Sequence, residues 1–349
     1  MLGLDIGGAN TKIAHVQIQK SVVKNVKVVI EYFPVWKNPQ IGQMLQKLKN
    51  AITDNFDAVG VTMTAELADV YQTKREGVEH ILNCVKEAFP NKPIYVLNTD
   101  AKLESPTEAI TAPLRVAAAN WAATGWLMSQ YFENCVIIDT GSTSSSIIPV
   151  INGKIATQGK TDLDKLKCGE LVYTGSLRTN LAAIVQTVPV KGVSTTVSSE
   201  LFALSGDIHL ILNNIKEEQY TSETADGKGT TRKEALTRLA RLICADTTML
   251  TEKELINIAR YIYKKQIQQI TTGLNQVYKH VKRTTTTKVP IVIAGLGKNF
   301  LAKKAAEQIK ADIIMDLEDM LPNKVSLAVP AVSVALMTAK QIEANKHDT

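Results

Sequence analysis

The stretch Leu2-Gly3-Leu4-Asp5-Ile6-Gly7-Gly8-Ala9-Asn10-Thr11-Lys12-Ile13 returns later in the chain as Val136-Ile137-Ile138-Asp139-Thr140-Gly141-Ser142-Thr143-Ser144-Ser145-Ser146-Ile147. Asp5 aligns with Asp139 and Gly7 with Gly141 at one constant offset, so the two halves carry the same unit. Each copy reads as an apolar strand ending in Asp-x-Gly, a tight loop of small residues, and a second apolar strand over residues 13–16 or 147–150.

Small residues at such a loop let backbone N–H groups turn inward and approach oxygens closely, which makes an anion-binding concavity. The Asp at the strand end suits a hydrated Mg²⁺, which keeps most of its waters and touches few carboxylates. Hydroxyls at Thr11, Ser142, Thr143, Ser144 and Ser145 add donors. One copy alone reads as an ordinary hairpin with a glycine turn. Two copies in register, one near the start of each half, point to duplicated phosphate-binding domains.

The rest of the chain alternates as an α/β domain requires. In the first half, strands are expected at 26–33, 58–63 and 94–97, with helices at 42–52 and 77–88. Pro113 opens an Ala-rich helix to about residue 131 that crosses into the second domain. In the second half, residues 154–157 complete a three-stranded unit and 159–249 form an insertion without a counterpart. Thr251-Glu252-Lys253-Glu254 has capping-box form before a long helical stripe through Leu255, Ala259, Ile262, Ile270, Leu274, Val277 and Val281. A strand at 289–294 leads into Gly295-Leu296-Gly297 and a helix, and Pro330 lies near the start of a closing helix of small residues. The expected domains are residues 1–115, completed by the helix at 326–345, and residues 116–325.

With 349 residues and 45% hydrophobic content, the chain is long enough for two domains with cores of their own. The net charge of +6 is scattered, and aromatics are only 5%, so a nucleic-acid partner is not expected. Cys84, Cys135, Cys168 and Cys244 are widely spaced, no secretory leader is read at Met1, and the apolar run 326–339 is too short to span a bilayer. A cytoplasmic protein with reduced thiols and no membrane partner is expected. The sequence sets no oligomeric state.

Several simpler motifs fail. Gly159-Lys160-Thr161 lacks the first glycine of a P-loop, because that position is Lys154. Gly295-Leu296-Gly297 lacks the third glycine of a dinucleotide fingerprint, because that position is Phe300. Gly295 and Gly297 therefore serve either a turn under a bound nucleotide or plain strand-to-helix packing. His15, His80, His209, His280 and His347 show no metal-binding spacing and read as surface or partly buried residues. No G-x-S-x-G nucleophile elbow is present.

Several stretches together resemble one family: Asp5-Ile6-Gly7-Gly8-Ala9-Asn10-Thr11-Lys12; Thr62-Met63-Thr64-Ala65-Glu66-Leu67-Ala68-Asp69; Ala118-Ala119-Asn120-Trp121; and Gly169-Glu170-Leu171-Val172-Tyr173-Thr174-Gly175 with Arg178. With Thr224-Ala225-Asp226-Gly227 and Cys244-Ala245-Asp246, they are similar to the hydantoinase/oxoprolinase-related proteins of methanopterin-linked one-carbon pathways. The resemblance spans nearly the whole chain. It implies an α/β fold of duplicated actin-like, ribonuclease-H-like domains, as in sugar kinases and Hsp70, with a cleft between them.

It also implies a reaction of methanofuran biosynthesis. The diphosphate ester of 5-(aminomethyl)-3-furanmethanol condenses with the phenol of γ-glutamyltyramine, forming an ether and releasing diphosphate, with Mg²⁺ and without ATP. On that reading Asp5, Gly7, Gly8, Asn10, Thr11 and Lys12 form the first phosphate loop, and Asp139, Gly141, Ser142 and Thr143 the second. Asp5 and Asp139 are the metal candidates, and Lys12 is the cation for the leaving group. Glu66, Asp69 and Lys74 follow a strand end and are candidates for acid–base work or for the substrate's aminomethyl group. Glu170, Tyr173 and Arg178 lie in the insertion and supply acceptor specificity, with Arg178 pairing the glutamyl carboxylate. Ser146 stands where family members usually carry an Asp, which puts a second metal or base there in doubt.

Two other readings use the same loops. One is an ATP-dependent small-molecule kinase or a hydantoinase/oxoprolinase-type hydrolase. The other is a nucleotide sensor without catalysis.

Overall fold

The computed structural model describes residues 1–19, 22–52, 55–321 and 325–347. The chain divides into two compact units, one of Met1–Asn134, Ile148–Lys165 and Leu317–Thr349, the other of Cys135–Ile147 and Leu166–Asp316.

The first unit begins with β1 (Leu2–Ile6), β2 (Asn10–Gln19), β3 (Val22–Tyr32), α1 (Ile41–Ile52), β4 (Val59–Met63) and α2 (Lys74–Ala88). It continues with β5 (Ile94–Leu97), β6 (Leu103–Glu104), α3 (Pro106–Thr111) and α4 (Asn120–Ser129). Its sheet runs β3-β2-β1-β4-β5-β6, with β1, β2 and β3 antiparallel and β1, β4 and β5 parallel. Because side chains alternate along a strand, Leu2, Leu4 and Ile6 enter a core with Val59, Val61 and Met63 and the apolar faces of α1 and α2.

The opposite face of β1 carries Gly3 and Asp5, and that of β4 carries Gly60 and Thr62, with Gly3 paired to Gly60 and Asp5 to Thr62.

Along the chain there follow β7 (Cys135–Thr140), β8 (Ser145–Ile151), β9 (Lys154–Ile155), α5 (Asp162–Cys168) and β10 (Leu171–Val172). Then come α6 (Leu181–Ile184), the hairpin β11 (Thr187–Val190) and β12 (Val193–Thr196), α7 (Ser205–Ile211), α8 (Arg232–Arg241) and α9 (Glu252–Lys282). Last are β13 (Pro290–Ala294), a short π-turn at Lys298–Ala302, α10 (Lys303–Gln308), β14 (Ile313–Asp316), α11 (Leu317–Met320) and α12 (Val329–His347). The second sheet runs β10-β8-β7-β13-β14, with β13 parallel to both neighbours. The two sheets thus repeat one order, antiparallel strands followed by parallel ones, which is the duplicated actin-like arrangement.

α12 lies on the Gly3 face of the first sheet, and a Cβ on Gly3 would meet the Ala331 carbonyl at 1.8 Å, one on Gly60 the Thr338 hydroxyl at 2.4 Å. The close approach that those two glycines permit is what seats the helix.

Four expectations change. The first unit runs to Asn134 rather than residue 115, because α4 packs on β4, β5 and α12. The helix from Pro113 is broken: a short turn at Pro113–Arg115 is separated from α4 by Ala118, whose φ of 51° is left-handed. Residues 154–157 supply only β9, which pairs with the far end of β8 (Val150↔Ile155). The place beside the second loop is taken by β10, pairing Leu171 with Ser146, so the segment 159–249 is not wholly an insertion. Thr251 does cap α9 with the expected box. No helix among the described residues is long and apolar enough to cross a membrane.

Candidate phosphate loops and their neighbours

In the first unit, β1 and β2 are joined by a turn in which Gly7 N donates to Asn10 O at 3.1 Å. Val35 N donates to Gly8 O and Phe33 N to Ala9 O, both at 2.9 Å. With these carbonyls committed to the protein, the amides of Gly8 and Ala9 are what the loop offers an anion. A Cβ on Gly7 would stand 2.6 Å from Asn10 O, so the turn needs glycine there.

Asp5 and Lys12 are register partners across β1 and β2, and Lys12 Nζ lies 3.0 Å from Asp5 Oδ2. Asp5 is 2% exposed, and its other oxygen, Oδ1, is buried without a hydrogen-bond partner. The hydroxyl of Thr62, the register partner of Asp5 on β4, is buried and unpartnered too; that of Thr11, also unpartnered, lies with its register partner Ile6 on the sheet's other face. Buried polar atoms of this kind are costly unless a ligand or water completes them.

β4 ends against the same turn, with Thr64 N and Ala65 N both donating to Ile6 O. Two residues on, Glu66 is buried, and neither carboxylate oxygen has a hydrogen-bond partner. Lys74 Nζ stands 3.5 Å from Glu66 Oε1 and 3.3 Å from Asp162 Oδ2. Burial pushes the Glu66 carboxyl above its ordinary value; the Lys74 charge opposes the shift and Asp162 adds to it. Gly77, on α2, lets this segment come close, since a Cβ there would meet the Glu66 carbonyl at 2.5 Å. Asp69 is exposed and takes no part in this group.

In the second unit the turn is repeated: Gly141 N donates to Ser144 O at 2.9 Å. The third strand's place is filled by a strap following β10. Ser176 N donates to Gly141 O at 2.9 Å, and Leu177 N and Arg178 N both donate to Ser142 O at 3.0 Å. Gly175 packs so tightly that a Cβ would lie 2.6 to 2.7 Å from the backbone of Ser142, Thr143 and Ser144. Arg178 Nη1 donates to Thr143 Oγ1 at 3.2 Å, and Ser145 Oγ donates to Thr174 O at 3.0 Å.

Asp139 lies next to last in β7 beside β13, its register partner being Ala294. Gly295 has φ of 84°, and a Cβ there would stand 2.4 Å from Asp139 Oδ1 and from Thr140 O. Gly297 N donates to Thr140 O at 2.9 Å. Both glycines are therefore required by close packing against Asp139 and Thr140.

The residues expected to supply acceptor specificity stand in different places. Arg178 reaches Thr143 of the second loop. Glu170 is buried, with its carbonyl accepting from Ile147 N at 2.8 Å, and Tyr173 is exposed. Asp226 is an ion-pair partner of Arg238 and Arg241, and Asp246 caps the turn at Thr248 and Met249. His209, read as a surface or partly buried residue, is fully buried, and His15 is buried as well. Asp162, beside Lys74, and Gln266, whose amide donates to Thr174 Oγ1 and Gly175 O, are not marked by any local motif, because their partners are far away in sequence.

No cluster of three or more His, Cys, Asp or Glu side chains able to hold a metal occurs among the described residues. Asp5 Oδ1 nonetheless fits Mg²⁺, which is content with one carboxylate, waters and substrate phosphates.

The chain matches the hydantoinase/oxoprolinase family model over residues 57–341. It is 39% identical to the (4-{4-[2-(γ-L-glutamylamino)ethyl]phenoxymethyl}furan-2-yl)methanamine synthase of Methanocaldococcus jannaschii, over 98% of each chain. It is 36% identical to the synthase of the same name from Methanococcus vannielii, over 61% of this chain and 94% of that one. Among solved structures, nucleotide-free acetone carboxylase covers 87% of this chain and 46% of its own, with a TM-score of 0.50 at 12% identity. By its sequence match and its paired Asp-x-Gly turns, the chain belongs to the hydantoinase/oxoprolinase family, together with these two synthases.

Proposed function

We propose that this chain is an ether-forming transferase of methanofuran biosynthesis, joining 5-(aminomethyl)-3-furanmethanol diphosphate to the phenol of γ-glutamyltyramine. The observation that carries this reading is the near-full-length identity to the M. jannaschii synthase. In the reaction the bond from the furanmethyl carbon to the diphosphate oxygen breaks, the phenol oxygen bonds to that carbon, and diphosphate and the phenolic proton depart. The furan ring's electrons support the positive charge that develops at the carbon.

Each loop is assigned phosphoryl oxygens. Lys12 supplies the cation at the first loop and Arg178 at the second, a guanidinium fork being suited to phosphate. Mg²⁺, when bound, neutralises charge on the leaving diphosphate. Asp5 would hold it through Oδ1. Glu66 is assigned the phenolic proton, because a free phenol with a pKa of about 10 is mostly neutral at pH 7 and burial makes this carboxylate a stronger base. Lys74 keeps the resulting charge balanced against Asp162.

The test is to supply the purified protein with the furanmethyl diphosphate, γ-glutamyltyramine and Mg²⁺, without ATP, and to follow ether by mass spectrometry together with diphosphate release. Stoichiometric ether and diphosphate are expected. No ether, with ATP hydrolysis on a panel of alcohols, acids and cyclic amides, would move the chain to the kinase or hydrolase reading.

A further inference from the structure

Behind the strap lies a buried hydrogen-bond chain that the proposed chemistry does not use. His209 on α7 is fully buried, with the rings of Phe300 and Tyr263 at centroid distances of 4.6 and 5.6 Å. Its Nδ1 is 3.1 Å from Asn214 Nδ2, and its Nε2 is 3.0 Å from Gln266 Oε1. Gln266 Nε2 in turn donates to Thr174 Oγ1 at 3.0 Å and to Gly175 O at 2.8 Å.

The direction of this chain follows from the chemistry of its members. An amide nitrogen only donates, so with Asn214 Nδ2 facing it, His209 Nδ1 must accept, and the ring proton sits on Nε2. Gln266 Oε1 must then accept, leaving both amide hydrogens of Gln266 for the strap. Burial holds the imidazole neutral, pulling its pKa down to about 3.

Gln266 occupies a fully buried position on α9, between Ile262 and Ile270, where an apolar residue would pack without polar partners. Its two donors hold Thr174 and Gly175, and Gly175 is pressed against the backbone of Ser142, Thr143 and Ser144.

We infer that Gln266, oriented by His209, is a positioning residue for the second loop: it fixes the strap at Thr174 and Gly175 and thereby sets the loop's hold on a phosphoryl group. This rests on the assignment of that loop to phosphoryl oxygens. The relay touches no substrate and acts only through the strap.

The experiment compares the whole protein with Gln266→Met, which keeps length and apolar volume but removes both donors. Inorganic diphosphate binding is measured by calorimetry, and KM is measured separately for the furanmethyl diphosphate and for γ-glutamyltyramine. The expected result is about ten-fold weaker diphosphate binding, because the strap no longer holds the loop in its binding geometry, with a matching rise in the KM for the furanmethyl diphosphate alone. An unchanged diphosphate affinity in folded Gln266→Met overturns the inference, and so does an equal rise in both KM values.

Should the variant not fold, ¹⁵N spectra of the histidines in the unaltered protein decide. A neutral His209 protonated at Nε2 across pH 5 to 8 supports the relay, and a charged or Nδ1-protonated ring overturns it. A wild-type protein that binds diphosphate but forms no ether defeats the transferase reading, while weaker binding in Gln266→Met still upholds the relay.

Discussion

Lys12 Nζ lies 3.0 Å from Asp5 Oδ2 across the first hairpin, whereas the residue aligned with Lys12 in the second copy is Ser146. The duplication has kept the turn and changed its charge. The first loop carries its cation on its own second strand; the second receives Arg178 from the strap, against Thr143. Each loop has one strong cation, reached by a different route.

Lys12→Met is expected to raise the KM for the furanmethyl diphosphate about ten- to a hundred-fold, the range of one charge-assisted hydrogen bond. Asp5→Asn removes the charge that balances Lys12 and the acceptor offered to Mg²⁺. Its turnover should fall strongly and its Mg²⁺ requirement shift upward. Magnesium titrations of steady-state rate on both variants test this, and full turnover in Asp5→Asn would remove Asp5 from the mechanism.

The place of Arg178 separates two assignments of its role. If it serves the second loop, Arg178→Ala should weaken inorganic diphosphate binding about ten-fold and leave the KM for γ-glutamyltyramine alone. Arg178→Lys should restore only part of that binding, because an ammonium lacks the planar fork. A selective rise in the acceptor's KM would instead return Arg178 to the glutamyl carboxylate.

The loops themselves were legible because a local rule writes them: Asp-x-Gly at a strand end, twice, at one spacing. Gly7 N to Asn10 O and Gly141 N to Ser144 O are the same bond in both copies. The strap was not legible. β10 is only Leu171–Val172, too short for an alternation pattern, and its pairing with Ser145 and Ser146 is set by tertiary contacts. Pro113 suggested the start of a long helix but opens only a short turn, and Ala118 offers no residue-type signal for the left-handed φ that divides this turn from α4. The buried side chains of His209 and Gln266 were hidden for a similar reason, since 57 positions separate the two partners.

Glu66 predicts an unusual pH dependence of stability. Its carboxyl titrates above the ordinary 4.5 in the folded chain, so in the window from about that value upward to its folded pKa the native state binds more protons than the unfolded state. Stability from this group is therefore full below the window and lost as pH rises through it. Glu66→Gln should flatten this fall and leave the variant more resistant to urea than the wild type at neutral pH. Urea midpoints from pH 4.5 to 8 on the two proteins decide it; parallel curves would mean the shift is absent.

Arg238 predicts where the second unit is most easily broken. The residue is fully buried, and its Nε and Nη2 donate to Asp207 Oδ1 at 2.9 and 2.8 Å. Its Nη1 donates to Asp226 Oδ1 at 3.1 Å and to Gly229 O at 3.0 Å. Asp207 is itself buried and is also bonded by Leu204 N and the Tyr220 hydroxyl. Burial raises its carboxyl's pKa even beside the guanidinium, so removing Arg238 leaves a buried carboxyl that is either stranded as an anion or must take up a proton. Arg238→Met should then cost about 3–5 kcal/mol, the penalty of leaving one member of a buried pair alone. Replacing Asp207 with Asn in the same chain should recover part of that loss, because the stranded charge disappears while the oxygen still accepts from Leu204 N. Denaturant unfolding of the two single variants and the double variant measures the coupling. Additive losses would show that the Arg238–Asp207 pair contributes nothing beyond its separate members.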